Sequence, residues 1–152
     1  MICYFSLGSN LGDRLAYINK AIDRLAEEPG ITILRRSAVL DSKAYGRTDQ
    51  PDFLNCIIEV DNNYDAETTL EICLKLEKEL GRSNRRERWS SREIDIDILF
   101  YGNRIVTLPH LKIPHPGIIH RKYLLEIMRD FCPDLLHPLT QKTMKELFGE
   151  LS

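Results

Sequence analysis

Residues Gly81–Tyr101, GRSNRRERWSSREIDIDILFY, decide how this chain is read. The stretch opens as a basic irregular segment carrying Arg82, Arg85, Arg86, Arg88 and Arg92, interrupted by Glu87 and Trp89. It then alternates apolar and acidic residues with period two, which predicts a strand. Successive strand side chains point to opposite faces, so Ile94, Ile96 and Ile98 share one face and Asp95 and Asp97 the other. Two carboxylates so spaced lie about 6–7 Å apart along the strand, within reach of one hard cation or a close pair. Carboxylate oxygens with retained water suit magnesium, whose shell substrate phosphates commonly complete. Arginines for phosphate beside carboxylates for magnesium is the composition of a nucleotide polyphosphate site. Taken singly, an Asp-x-Asp pair is often the wet face of an amphipathic strand, and an arginine run is often a solvated loop. Their adjacency is what favours a site.

The chain on either side supplies a frame for that strand. Ile2–Leu7 reads as a short apolar strand ended by Gly8-Ser9-Asn10, with Asp13 as N-cap of a helix carrying Leu15, Ile18, Ile22 and Leu25. Pro29-Gly30 stops that helix, and Ile31 to Leu40 reads as a second strand, followed by a polar loop over 41–52. GSNLGD has neither the Gly-Lys-Ser/Thr of a P-loop nor a GxGxxG, and reads as a strand–helix turn. Phe53 to Asp61 is a third strand, with Leu54, Cys56, Ile58 and Val60 on one face and Phe53, Asn55, Ile57 and Glu59 on the other. A helix over Ala66 to Leu80 follows, closed by Gly81 at C′. Its stripe is read as Leu70, Cys73, Leu74 and Leu80, with Glu77 inside it. Glu77 either reaches water at the stripe's edge or aims at a ligand, and the second reading is preferred. Beyond Tyr101, Gly102-Asn103 turns into a short strand over Arg104–Thr107, and Leu108 to Gly117 is a proline-punctuated loop. A helix over about 119–131 points Leu124, Ile127, Met128 and Phe131 inward, and a last amphipathic turn or two carries Met144, Leu147 and Phe148.

The order β-α-β-β-α-β predicts an α+β fold with a ferredoxin-like core, a mainly antiparallel sheet with both of these helices on one face. Phe53, Asn55, Asp95 and Asp97 then share the opposite face, where the last 50 or so residues and the long loops would wall a cleft. The 152-residue length predicts a single domain over 1–152. A formal net charge of −2 makes the arginine cluster local and argues against a nucleic-acid partner. No apolar run is long enough for a membrane span, and Met1 leads straight into ICYFSLGSN without a basic n-region, so neither membrane nor secretory signal is expected. Cys3, Cys56, Cys73 and Cys132 lie far apart, without metal-ligand spacing, and read as buried thiols of a cytoplasmic protein.

FSLGSNLGDR, QPDFLN, LEKELGR, RWSSREIDIDILFYG, IPHP and HRKYLL together resemble the 6-hydroxymethyl-7,8-dihydropterin pyrophosphokinases of folate biosynthesis, over about residues 3–140. The most specific part is Arg-Trp-x-x-Arg-x-Ile-Asp-x-Asp-Ile. The resemblance implies an α/β/α sandwich, helices on both sides of the sheet, and magnesium-dependent transfer of diphosphate from ATP to the pterin hydroxymethyl group with release of AMP. It implies that Asp95 and Asp97 bind two Mg2+ ions, with Arg82 and Arg92 catalytic beside them. ATP would meet Glu77, Arg82, Arg92, Ile98, His115 and Arg121. The pterin ring would lie between Phe53 and Tyr123, paired at its edge by Asn55, with Ser42 and Tyr45 lining the same pocket. Trp89 would belong to a lid over the nucleotide. The implied partners are these small molecules, with no obligate protein partner. Three departures stand out: Ser90-Ser91 replace a usual Gly-Pro, Asn84 a common arginine, and Ser42-Lys43 a usual Thr-Pro. The rival readings are an RNA-binding sheet, which leaves the acid pair idle, and a sensing domain, which would need a catalytic partner.

Overall fold

The computed structural model describes residues 1–10, 12–42, 53–81 and 94–151. The chain is ordered β1 (Ile2–Ser9), α1 (Arg14–Ala26), β2 (Ile31–Arg36), β3 (Leu40–Ser42), β4 (Phe53–Asn62), α2 (Ala66–Glu79) and β5 (Asp95–Tyr101), then β6 (Val106–Leu108), β7 (Leu111–Ile113), α3 (Lys122–Phe131) and α4 (Met144–Leu151). The main sheet runs β2-β4-β1-β5 with every pairing antiparallel, and β3 pairs with the first residues of β4. This is the ferredoxin-like order, with its second strand in two pieces.

Alternation builds a core on each face. Cys3, Phe5 and Leu7 of β1, Cys56, Ile58 and Val60 of β4, and Ile94, Ile96 and Ile98 pack beneath α1 and α2. Tyr4, Ile57, Leu99 and Phe100 pack on the other side against α3 and α4. The result is the α/β/α sandwich. Each buried isoleucine is worth about 1.5–3 kcal/mol, and a slip of β5 by one residue would trade isoleucines for aspartates in the core. Register is therefore fixed, and with it the outward face of Asp95 and Asp97.

Several expected boundaries move. The second strand breaks after Arg36 because Ser37 stands in for the ladder: its N–H donates to the Ile57 carbonyl (2.8 Å) and its Oγ accepts from the Ile57 N–H (2.8 Å). In α2 the buried stripe is Thr69, Cys73, Leu76 and Glu77, at i, i+4, i+7 and i+8, whereas Leu74 is exposed. Leu15 of α1 is likewise exposed. The expected strand over 104–107 is β6, and the proline loop holds its hairpin partner β7, with Val106 opposite Ile113. Helix α3 starts at Lys122, because the amides of His120 and Arg121 both turn back to the Gly117 carbonyl (3.2 and 3.0 Å).

One irregularity prepares the site. Tyr4 pairs with Phe100 and Phe5 with Ile98, so Leu99 is an extra residue in β5. The bulge turns both Leu99 and Phe100 into the α3–α4 core. It also leaves the Leu99 carbonyl to accept the His115 N–H at 3.0 Å, which ties the loop after β7 to the strand carrying the aspartates.

Candidate active site

Beyond Tyr4, the residues of β1 on the α3–α4 side become small: Ser6, then Gly8. Gly8 lies opposite Asn55 on one side and Asp95 on the other. A Cβ at Gly8 would stand 2.9 Å from Asn55 Oδ1 and 3.6 Å from Phe53 Cδ1, so glycine is what lets those side chains lie down over β1. The space left is a cavity of about 410 Å3, lined by Ser6, Gly8, Phe53, Asn55, Asp95 and Asp97 from the sheet and by Gly117, His120, Arg121 and Tyr123 from the segment entering α3. Six of the residues singled out in the sequence, separated by up to 70 positions, thus line one cavity: Phe53, Asn55, Asp95, Asp97, Arg121 and Tyr123. Asn55 is buried, and burial pushes the Tyr123 phenol above its usual range, which keeps that ring neutral.

His115 lies in an adjoining cavity of about 280 Å3, with Leu70, Ile96, Asp97, Ile98, Pro109–Lys112 and Pro116. Asp97 lines both cavities. The Gly117 amide donates to His115 Nδ1 at 2.9 Å, so the proton of the neutral ring sits on Nε2, which is 4.0 Å from Asp97 Oδ2. Burial, reinforced by Arg121 and opposed by Asp95, holds the His115 pKa below its ordinary value. The ring is therefore a neutral N–H donor near pH 7. Gly117 is a second close approach: a Cβ there would stand 2.9 Å from Arg121 Nε and 3.1 Å from His115 Cε1, so the Arg121 side chain would have to shift.

Glu77, read from the sequence as facing the nucleotide, sits on the inner side of α2 against β5. It is buried, lines neither cavity, and its Oε2 accepts the Ile96 N–H at 2.7 Å. Ile96 therefore turns its amide to the outer edge of β5, and by period two the Ile98 backbone faces that same edge. Ser42 ends β3 opposite Phe53. Tyr45, Arg82 and Arg92, with Arg85, Arg86 and Trp89, lie outside the described residues. Ser6, Gly8, Gly117 and His120 were missed in the sequence reading; the small residues at every second position of CYFSLGS are the signal that marks two of them.

The donor set fits magnesium. Asp95 and Asp97 offer two carboxylates on a cavity roomy enough for phosphates, which matches a cation held by one or two side chains plus substrate oxygens. Among the described residues no group of three or more His, Cys, Asp or Glu is placed to cage an ion. No described helix is long and apolar enough to cross a membrane. An RNA platform needs an open sheet face, and α3 and α4 cover this one beside the cavity.

Residues 4–133 match the family model described as 7,8-dihydro-6-hydroxymethylpterin-pyrophosphokinase (HPPK). A 2-amino-4-hydroxy-6-hydroxymethyldihydropteridine pyrophosphokinase of Aquifex aeolicus is 39% identical over 147 residues, covering 97% of this chain and 90% of that one. Its counterpart from Methylorubrum extorquens is 37% identical over 148 residues, covering 97% and 92%. A solved HPPK-DHPS of Plasmodium falciparum superposes on 99% of this chain with a TM-score of 0.77 at 15% identity, a likeness of fold. The chain spans less than half of that solved protein, 45% of its length. The chain belongs to the 7,8-dihydro-6-hydroxymethylpterin-pyrophosphokinase family, the pyrophosphokinases of folate biosynthesis, and is an enzyme of that class.

Proposed function

We propose that the two adjoining cavities divide the substrates of the family reaction, pterin in the one floored by Ser6 and Gly8 and ATP in the one along the outer edge of β5. The observation that carries this is the position of Asp97, which borders both. In the first cavity Phe53 and Tyr123 supply two π-faces for a flat heterocycle, and Asn55 an amide that both donates and accepts at its edge. In the second, the Ile98 backbone at the open strand edge suits the hydrogen-bonding edge of a purine. His115 Nε2–H and the Arg121 guanidinium supply donors for phosphate oxygens between the two.

Asp95 and Asp97 would hold Mg2+, as two ions in the reading carried from the motif. Bound there, magnesium would offset phosphate charge as the bond to the departing AMP lengthens. The pterin hydroxymethyl oxygen attacks the β-phosphorus of ATP, the bond from that phosphorus to the α–β bridging oxygen breaks, AMP leaves, and the hydroxyl proton passes to solvent. Positioning and charge carry most of such a transfer, so the chain's task is alignment rather than strong base catalysis. Arg82 and Arg92, assigned by motif, would add cations on the transferred group. The setting is cytoplasmic and the partners are the two small molecules.

The test is incubation with Mg-ATP and 6-hydroxymethyl-7,8-dihydropterin, followed by separation of the nucleotides. AMP in step with pterin diphosphate is expected. ADP as the product would replace this reading with a monophosphoryl transfer.

A further inference from the structure

We infer that Glu77 is a positioning residue for the acid pair, acting through the backbone of β5 and not by touching a substrate. Among the described residues β5 is the outermost strand of the sheet, and no described strand pairs with the backbone groups on its far edge. Ile96 is the residue between Asp95 and Asp97, and its amide points to that edge. Glu77 reaches it from α2 with a 2.7 Å hydrogen bond while only 2% exposed. The Ile96 side chain is held in the α1–α2 core and its backbone is held by Glu77, so the two flanking aspartates are fixed from both sides of the chain.

A carboxylate is an expensive choice for a mere edge cap, because burying charge near charge is unfavourable. Burial foremost, then Glu77 and Asp97, raises the pKa of the Cys73 thiol on α2, so both carboxylates lie on the side of β5 that this thiol senses. Yet Glu77 lines neither cavity, and no three-carboxylate cluster forms among the described residues. Its short acceptor bond gives the carboxylate a role that a core leucine could not fill: a stiff peptide unit between two residues whose oxygens must converge. A strand edge left loose would let Asp95 and Asp97 drift by fractions of an ångström, enough to misalign a transfer that depends on geometry.

The inference rests on the diphosphate-transfer reading, and the experiment separates the two. In the metal-free protein, amide exchange and the 15N–1H shift of Ile96 are measured in wild type, Glu77→Gln and Glu77→Ala. Turnover is then titrated against magnesium for each. Gln keeps an oxygen that can accept the Ile96 amide, so Glu77→Gln should stay within about threefold of wild type in kcat and leave Ile96 protected. Glu77→Ala should speed Ile96 exchange at least about tenfold and lower kcat by a similar factor, with KM for the pterin unchanged. If the alanine protein does not fold, Glu77→Asp, one methylene short of the amide, takes its place with the same expectation. Gln as damaging as Ala, or normal kcat with Ile96 unprotected, would overturn the proposal. A wild-type protein that forms no AMP would sink the functional reading alone, since the Ile96 result stands without turnover.

Discussion

Asp97 stands where the two cavities meet, with its Oδ2 4.0 Å from His115 Nε2. Asn is nearly isosteric with Asp, so Asp97→Asn removes charge with little change in shape. Stability should hold or rise, because Asp95 loses a like-charged neighbour on the same strand face. Turnover should fall at least about a hundredfold, the scale for losing a preorganised electrostatic group. Raising magnesium should recover only part of it. Turnover against magnesium, with melts in EDTA, checks this; near wild-type turnover at ordinary magnesium would return the pair to the role of solvated strand residues. Asn55 makes a complementary case for the other substrate. Asn55→Ala should weaken pterin binding by about 1–3 kcal/mol, the range for stranding a buried polar edge, and leave Mg-ATP binding nearly intact. Separate titrations of each ligand decide it, and equal losses would make Asn55 structural.

At the scale of the element, β1 is the strand whose residue sizes create the site. Tyr4 fills the α3–α4 side, bonded through its hydroxyl to Glu59 and edge-on to Phe100 and Phe131, while Ser6 and Gly8 leave the same side open. Gly8→Ala keeps the strand pairing, yet its methyl would meet Asn55 Oδ1 at 2.9 Å. The Asn55 amide must give way, so pterin affinity should drop by at least about tenfold with a melting temperature close to that of wild type. Unchanged pterin affinity in a folded Gly8→Ala protein would show that the floor of this cavity is not where the ring lies. The bulge at Leu99 is the second device at this scale. It spends one residue to turn Leu99 and Phe100 inward and to bind His115 through a carbonyl that a regular ladder would have occupied.

Across the whole molecule, acid should loosen the fold in two stages. Burial holds His115 and His137 below their ordinary 6.5. The unfolded chain therefore protonates these sites first, so their contribution is complete above about pH 6.5 and drains as pH falls through the folded values. Glu59 is different in cause: its bonds with Arg35 and Tyr4, with the Arg35 bond foremost, hold its pKa below the ordinary 4.5. Its contribution is present above about 4.5 and lost below, as the carboxylate protonates and the tie between β2 and β4 fails. Melts from about pH 8 down to 4 should decline from about 6.5 and steepen near 4.5. A melting temperature flat between about pH 7 and 5.5 would contradict the histidine stage.

The sequence by itself determined the strand of the aspartates, the helix start capped by Asp13, and the face shared by Phe53, Asn55, Asp95 and Asp97. These are local properties: period-two alternation fixes faces, and capping residues fix ends, whatever lies across the sheet. The resemblance carried by RWSSREIDIDI placed the chain in its family as well. Only the tertiary structure decided what depends on a partner distant in sequence. The break after Arg36 needs Ile57 to offer its backbone to Ser37. The stripe of α2 turns toward Leu76 and Glu77 because β5 lies beneath it and its Ile96 amide takes Glu77 as acceptor. The tautomer of His115 follows from a Gly117 amide and a bulged strand, and the glycine at position 8 acquires its meaning from Asn55 lying 47 residues on. Alternation says which way a side chain points; what it meets there is set by the packing of elements that no local pattern encodes.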